Sequence, residues 1–219
     1  ITILDSATLD DWLNRLSAAD FFAFDTETTS LNYMVAEIVG VSFAVEAGTA
    51  AYVPLAHDYP GAPEQLSRDE VLAQLKPILE DESKGKLGQH LKYDANVLMN
   101  HGITLRGIRE DTMLESYVLD ATGSRHDLDT LALKYLGQRT IHFEDIAGKG
   151  AKQITFNQVP VEQAAPYAAE DAEVTLRLHA VLSARLEVEP SLQQLYRELE
   201  VPLVPVLSRI ERNGTLVSR

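Results

Sequence analysis

Residues 21–31 read FFAFDTETTSL. The apolar run 21–24 is compact enough to form a buried strand, and alternation along that strand sends Asp25 and Glu27 to one side, two residues apart. One face at the strand's end therefore presents two carboxylates. All-oxygen donors suit hard cations such as Mg²⁺ or Mn²⁺, so this pair can hold a metal without Cys or His. Taken alone, the same spacing also fits a strand whose terminal Asp merely caps a turn.

Working outward, 1–4 reads as a short strand and 6–16 as a helix with Leu9, Trp12, Leu13 and Leu16 on its buried face, capped by Asp5 or Ser6. Two further strands, 38–45 and 50–55, joined across a turn containing Gly48, complete an antiparallel meander with the 21–24 strand. Ser67 and Glu70 have capping-box spacing and open a helix to residue 79, and 86–88 makes a short strand. Beyond it helices dominate, over 91–100, 112–119, 128–135 and 161–186, the last either starting or kinking at Pro166. Strands first, helices later and one strand-helix alternation between them predict an α/β fold, a mixed sheet covered by helices. The tail 191–212 is a helical pattern interrupted by Pro202 and Pro205, after which Leu216 and Val217 read as the start of a strand in a following domain.

Two more acids fall on helices. In PYAAEDAEVTL, Tyr167 and Asp171 are four residues apart and share one helix face, while Glu170 and Glu173 point elsewhere and read as solvated. In LGQHLKYDANVL, Asp94 stands near a helix start, where an acid also favours the helix dipole. Each motif singly also fits a cap or a surface acid. Jointly they place acids at element ends beside apolar sequence, which caps alone do not require.

Composition narrows the classes. With 45% hydrophobic residues in 219, the chain can bury a substantial core. The net charge of −14 argues against broad electrostatic capture of nucleic acid, although clustered carboxylates that hold divalent cations invert the local sign. No run approaches the roughly 20 apolar residues of a membrane-spanning helix, no signal peptide pattern opens the chain, and no cysteine is present, which fits a reducing compartment and a cytoplasmic reading without membrane partners. His57, His101, His126, His142 and His179 lack paired metal spacing and read as structural. Lys149 and Lys152, near the GKG segment, are strand contacts at most.

The strings DTETTSL, GQHLKYDANVL, DTMLESYVL, TIHFEDIAGKG, TFNQV and YAAEDAEVTLRLH resemble the proofreading 3′-to-5′ exonuclease domain of bacterial family A DNA polymerases. The resemblance implies a ribonuclease H-like fold, an exonuclease domain over 1–189, and the start of a polymerase domain, acting in cis, over 190–219. It implies a metal-dependent exonuclease acting on single-stranded or frayed DNA 3′ ends, in the bacterial cytoplasm and at the nucleoid. Asp25, Glu27, Asp94 and Asp171 would hold two divalent cations, Mg²⁺ with Mn²⁺ or Zn²⁺ as substitutes, and Tyr167 would orient the attacking water. Leu31 and Phe143 would contact the terminal bases, and Gln89 and Arg125 would lie along the strand. His90 departs from the family pattern, which usually has Asn there. A ribonuclease D-like exoribonuclease, with the same acids, and a catalytically silent spacer domain are the alternatives.

Overall fold

The computed structural model describes residues 1–123 and 125–214, so the 216–217 strand lies outside the described residues. Helix α1 (Ser6–Ala18) starts where the Asp5 carboxylate accepts the Thr8 N–H at 2.9 Å, and it buries Leu9, Trp12 and Leu16. Strands β1 (Phe21–Thr28), β2 (Ile38–Glu46) and β3 (Thr49–Pro54) form the expected antiparallel meander. The β2–β3 turn uses Gly48 at φ 79°, a left-handed conformation that glycine adopts without a Cβ clash.

Helix α2 (Arg68–Leu79) leads to β4 (Gly85–Gly88), helix α3 (Leu91–Asn100) and β5 (Ile108–Asp111). Both later strands run parallel to β1, giving a five-stranded mixed sheet of order β3-β2-β1-β4-β5. Helices α4 (Thr112–Leu119), α5 (Leu128–Leu131, continued by a π-helical turn to Leu136), α6 (Phe143–Ala147) and α7 (Val161–Glu187) follow. Helices α8 (Pro190–Leu195) and α9 (Val201–Asn213) are joined by a second π-helical segment.

Alternation along β1 divides the core. Phe22 and Phe24 pack with Leu9, Trp12, Leu91 and Val97 on one face of the sheet. Ala23, on the other face, packs against Ala172 of α7. Asp25 and Glu27 continue the Ala23 row and therefore face α7, as the period of two requires.

Several expectations change. Residues 1–4 form only a single bridge, Thr2 to Tyr52, because their backbone pairs at one position beside β3. Strand β1 runs on through the acids to Thr28, since pairing with β2 continues through Thr26–Val41 and Glu27–Gly40. Strand β5 was not expected, because its sequence IRED carries one apolar residue and no alternation. Helix α7 begins at Val161 with Pro166 inside it; the proline removes one donor close to the helix start, where Ala164, Ala165, Ala168 and Ala172 bury the face that holds the helix down. Glu170 and Glu173 are not merely solvated. Glu170 accepts the Ile141 N–H at 2.7 Å, and Glu173 pairs with Arg177 at 2.8 Å and accepts the Gly48 N–H at 3.0 Å. Among the described residues, no helix is long and apolar enough to cross a membrane.

Candidate metal and active-site cleft

The C-terminal end of β1, the first turns of α3 and the middle of α7 surround a cavity of about 790 Å³. Asp25, Glu27, Asp94, Tyr167 and Asp171 all line it, together with Leu31, Gln89, Phe143 and His90. Arg125 does not. Its side chain is 86% exposed and its Nε lies 3.1 Å from Asp127.

Each acid reaches the cleft by a different route. Asp25 and Glu27 stand on the α7 side of β1, opposite Ser42 and Gly40 of β2. Asp171 lies one helical turn beyond Tyr167 on α7, and both side chains line the cavity. Asp94 approaches from the other side of the sheet. Thr26, the residue between the two β1 acids, donates to Asp94 Oδ1 from its N–H at 3.0 Å and from its hydroxyl at 2.6 Å. One Asp94 oxygen is thus spoken for, and the other is left for a ligand.

The start of α3 is set by an unusual bend. His90 has φ 67° and is the only non-glycine residue with positive φ among the described residues. This left-handed kink turns the His90 and Leu91 N–H groups onto the Asp111 carboxylate, at 3.1 and 2.8 Å. Asn is among the residues that best tolerate that conformation, and His is also enriched there. The departure at this position is therefore between two side chains compatible with the same backbone.

Electrostatically the cleft is uncompensated. Burial lifts Asp25 to about 6. Burial first, then the repulsion of Asp25, Asp171 and Asp94, pushes Glu27 well above the usual carboxylate range. Asp94 is raised well above its ordinary value by burial and Asp25, against the Thr26 hydrogen bonds that favour its charged form. Asp171 is raised by burial, then by Asp25 and Asp129. Tyr167 is pushed above the ordinary phenol value by burial first and then by Asp171 and Glu27, so it stays a neutral donor. Among the described residues lining the cavity there is no Lys or Arg.

Four carboxylates gathered without a counter-cation form a donor set suited to hard divalent ions. A second acidic cluster shows the contrast. Glu110 on β5 lies 2.5 Å from Arg197 and accepts the Tyr196 hydroxyl at 3.1 Å, while Glu115 on α4 lies 2.7 Å from His179. Each of its acids has a basic side chain beside it.

The expected strand contacts divide. Leu31 is 93% exposed at the cavity mouth, an apolar side chain free to meet a ligand. Gln89 lines the cavity, but its amide already bridges the Thr112 hydroxyl and, at 2.7 Å, the His126 carbonyl. Lys149 pairs with Glu144 at 2.6 Å. Sequence reasoning missed Thr26, whose role depends on the α3 helix coming to the strand end, and Tyr93, whose hydroxyl donates to the Ser30 carbonyl at 2.6 Å and walls the cleft. Tyr93 stands one residue before Asp94, and that adjacency was the available signal.

A family model described as a 3′-5′ exonuclease matches residues 1–187. DNA polymerase I of Pseudomonas aeruginosa is 64% identical over 98% of this chain and 24% of that protein, so the chain spans about a quarter of that curated relative. The solved structure of Pol1 from M. smegmatis, in complex with DNA primer-template and dNTP, superimposes with a TM-score of 0.77 at 22% identity, over all of this chain and 33% of that one. Brucella melitensis NrnC with bound Mg²⁺ superimposes with a TM-score of 0.65 at 24% identity, over 92% of this chain and 90% of that one. The fold is ribonuclease H-like, and by the match over residues 1–187 the chain belongs to the 3′-5′ exonuclease family of A-type DNA polymerases.

Proposed function

We propose that the chain removes nucleoside 5′-monophosphates one at a time from single-stranded or frayed DNA 3′ ends, with two divalent cations held by Asp25, Glu27, Asp94 and Asp171. The observation that carries this reading is the charge of the cleft: four carboxylates converge there and no Lys or Arg among the described residues lines it. A hard cation relieves both the burial and the repulsion that raise these carboxyls. The all-oxygen set suits Mg²⁺ or Mn²⁺ best, with Zn²⁺ as a less suited substitute. When bound, such cations activate water and offset charge on the departing oxygen.

The chain's own side chains position the reaction. Tyr167, held as a neutral phenol, orients the water and does not act as its base. Glu27 can accept a hydrogen bond from the same water. Leu31 and Phe143 offer apolar surface to the terminal bases, a contact largely indifferent to sequence. Mispaired ends, being cheaper to unpair, then enter the cleft more often. Arg125 lies outside the cavity lining, exposed and paired through Nε with Asp127.

The longer relatives, of which the chain spans about a quarter, are named DNA polymerase I, which supports reading residues 1–189 as the exonuclease domain and 190–219 as the lead into a polymerase domain acting in cis. On that reading the module proofreads in the cytoplasm, at the nucleoid. The test uses 5′-labelled single strands of DNA and of RNA with the same sequence. A ladder shortening from the 3′ end of DNA in Mg²⁺, absent in EDTA and absent for Asp171→Ala, supports the proposal. Degradation unchanged in EDTA contradicts it, and preference for the RNA strand moves the reading to an exoribonuclease.

A further inference from the structure

The segment TFNQV, residues 155–159, supplies none of the acids, yet its Phe156 ring sits at the floor of the cleft. Phe156 is 3% exposed. Its ring lies 6.0 Å from that of Tyr167 and 6.3 Å from that of Phe143, nearly parallel to the latter at 14°. Phe143 and Tyr167 also touch, centroid to centroid at 6.3 Å, so the three rings close a triangle. Such aromatic pairs prefer defined offsets and tilts, which gives each ring a fixed orientation beyond simple burial.

The triangle is anchored from beneath. Tyr52 meets Phe156 edge-on at 6.4 Å, and its ring fills the space a Cβ on Gly40 would need, directly behind Glu27 in the β1–β2 register. His57 bonds the Val159 carbonyl through Nδ1 at 2.9 Å and the Tyr52 hydroxyl through Nε2 at 2.8 Å. A carbonyl only accepts, so Nδ1 carries the proton, and a neutral ring then accepts from Tyr52. Asn157 adds a second tie, donating to Asp58 at 2.8 Å while its carbonyl accepts the Asp58 N–H at 2.9 Å. The TFNQV turn is thereby pinned to residues 57–58, and Phe156 with it.

We propose that Phe156 is a positioning residue, whose ring, clamped by Tyr52, His57 and Asn157, fixes both the water-orienting Tyr167 and the base-contacting Phe143. This rests on the roles given to those two residues above. The reaction needs Tyr167 held to a fraction of an ångström, and packing by a rigid neighbour provides that.

The test is Phe156→Met, which keeps apolar volume and removes the ring, with Phe156→Leu as the second variant should the first not fold. Proteins labelled with ¹³C-tyrosine are compared by NMR, the Tyr167 signals being assigned by their loss in Tyr167→Phe. Hydrolysis of a single strand is measured in parallel for Phe156→Met, Tyr167→Phe and the double variant. Expected are displaced Tyr167 signals and a roughly tenfold fall in kcat that shrinks to less than about twofold when Tyr167→Phe is already present. Unmoved Tyr167 signals in a folded variant overturn the proposal, as do displaced signals with losses that simply multiply. Absence of hydrolysis by the unsubstituted chain instead refutes the exonuclease reading, and the NMR comparison still decides whether Phe156 positions Tyr167.

Discussion

Thr26 places both its N–H and its hydroxyl on a single oxygen of Asp94, at 3.0 and 2.6 Å. Because Thr26 lies between Asp25 and Glu27, the strand that carries two of the acids also orients the third. Thr26→Val keeps shape and removes one of the two donors. Outer-shell losses of this kind cost about 10–100-fold in metal affinity or activity, so the Mg²⁺ concentration for half-maximal hydrolysis should rise at least about tenfold, and Thr26→Ser should restore it. An unchanged Mg²⁺ dependence in Thr26→Val would remove Thr26 from the site.

The raised carboxyls make stability depend on pH in a direction opposite to that of ion-paired acids. With Asp25 held at about 6 and Glu27, Asp94 and Asp171 also raised, the folded chain retains protons that the unfolded chain has released. The contribution of these groups is therefore fully present below the unfolded carboxylate value of about 4 and is lost as pH rises through about 6 and beyond. In EDTA, the melting midpoint should fall between pH 5 and pH 8, and Asp25→Asn should flatten that fall. Mg²⁺ should cancel it in the unsubstituted chain. A midpoint in EDTA that rises over this range would contradict the uncompensated cleft.

Tyr167 and Asp171 are separable by substitution. Tyr167→Phe keeps the ring contacts with Phe143 and Phe156 and removes only the hydroxyl. Loss of one orienting hydrogen bond should lower kcat by about tenfold, whereas Asp171→Ala, lacking one of the proposed metal ligands, should show no measurable release of mononucleotides while its circular dichroism stays native. Equal losses from the two would show that the hydroxyl does more than orient.

The bend at His90 yields a stability comparison independent of catalysis. At φ 67° a β-branched residue is strained, so His90→Val should cost about 1–2 kcal/mol in urea unfolding. His90→Asn should lie within about 0.5 kcal/mol of the parent. A Val variant as stable as the parent would mean that the α3 junction does not need this conformation.

The parts of the fold that follow from periodicity were legible in the sequence. The period of two placed Asp25 and Glu27 on one face, and the helical period paired Tyr167 with Asp171; both faces were then found at one cleft. Elements held by neighbours were not legible. Strand β5, sequence IRED, forms because β4 offers it a parallel edge, and α7 continues through Pro166 because the sheet buries its alanines. The placement of the expected strand-contact residues relative to the cavity was legible only in part. Leu31, Phe143 and Gln89 line the cavity, but Arg125 lies in a salt bridge outside it, since no local pattern fixes where a long side chain on an irregular segment points. His90 is explained by its backbone angle, which a sequence does not display.

In the proposed reaction Asp25, Glu27, Asp94 and Asp171 jointly hold two divalent cations. Crystals soaked with Mn²⁺ and a nucleoside 5′-monophosphate, measured at the manganese absorption edge, test it most directly. Two anomalous peaks are expected within the cleft, one bounded by Asp25, Glu27 and Asp171 and the other between Asp25 and the Asp94 oxygen that Thr26 does not engage. Anomalous density absent from the cleft, or confined to the Glu110–Glu115–His179 cluster, would contradict it.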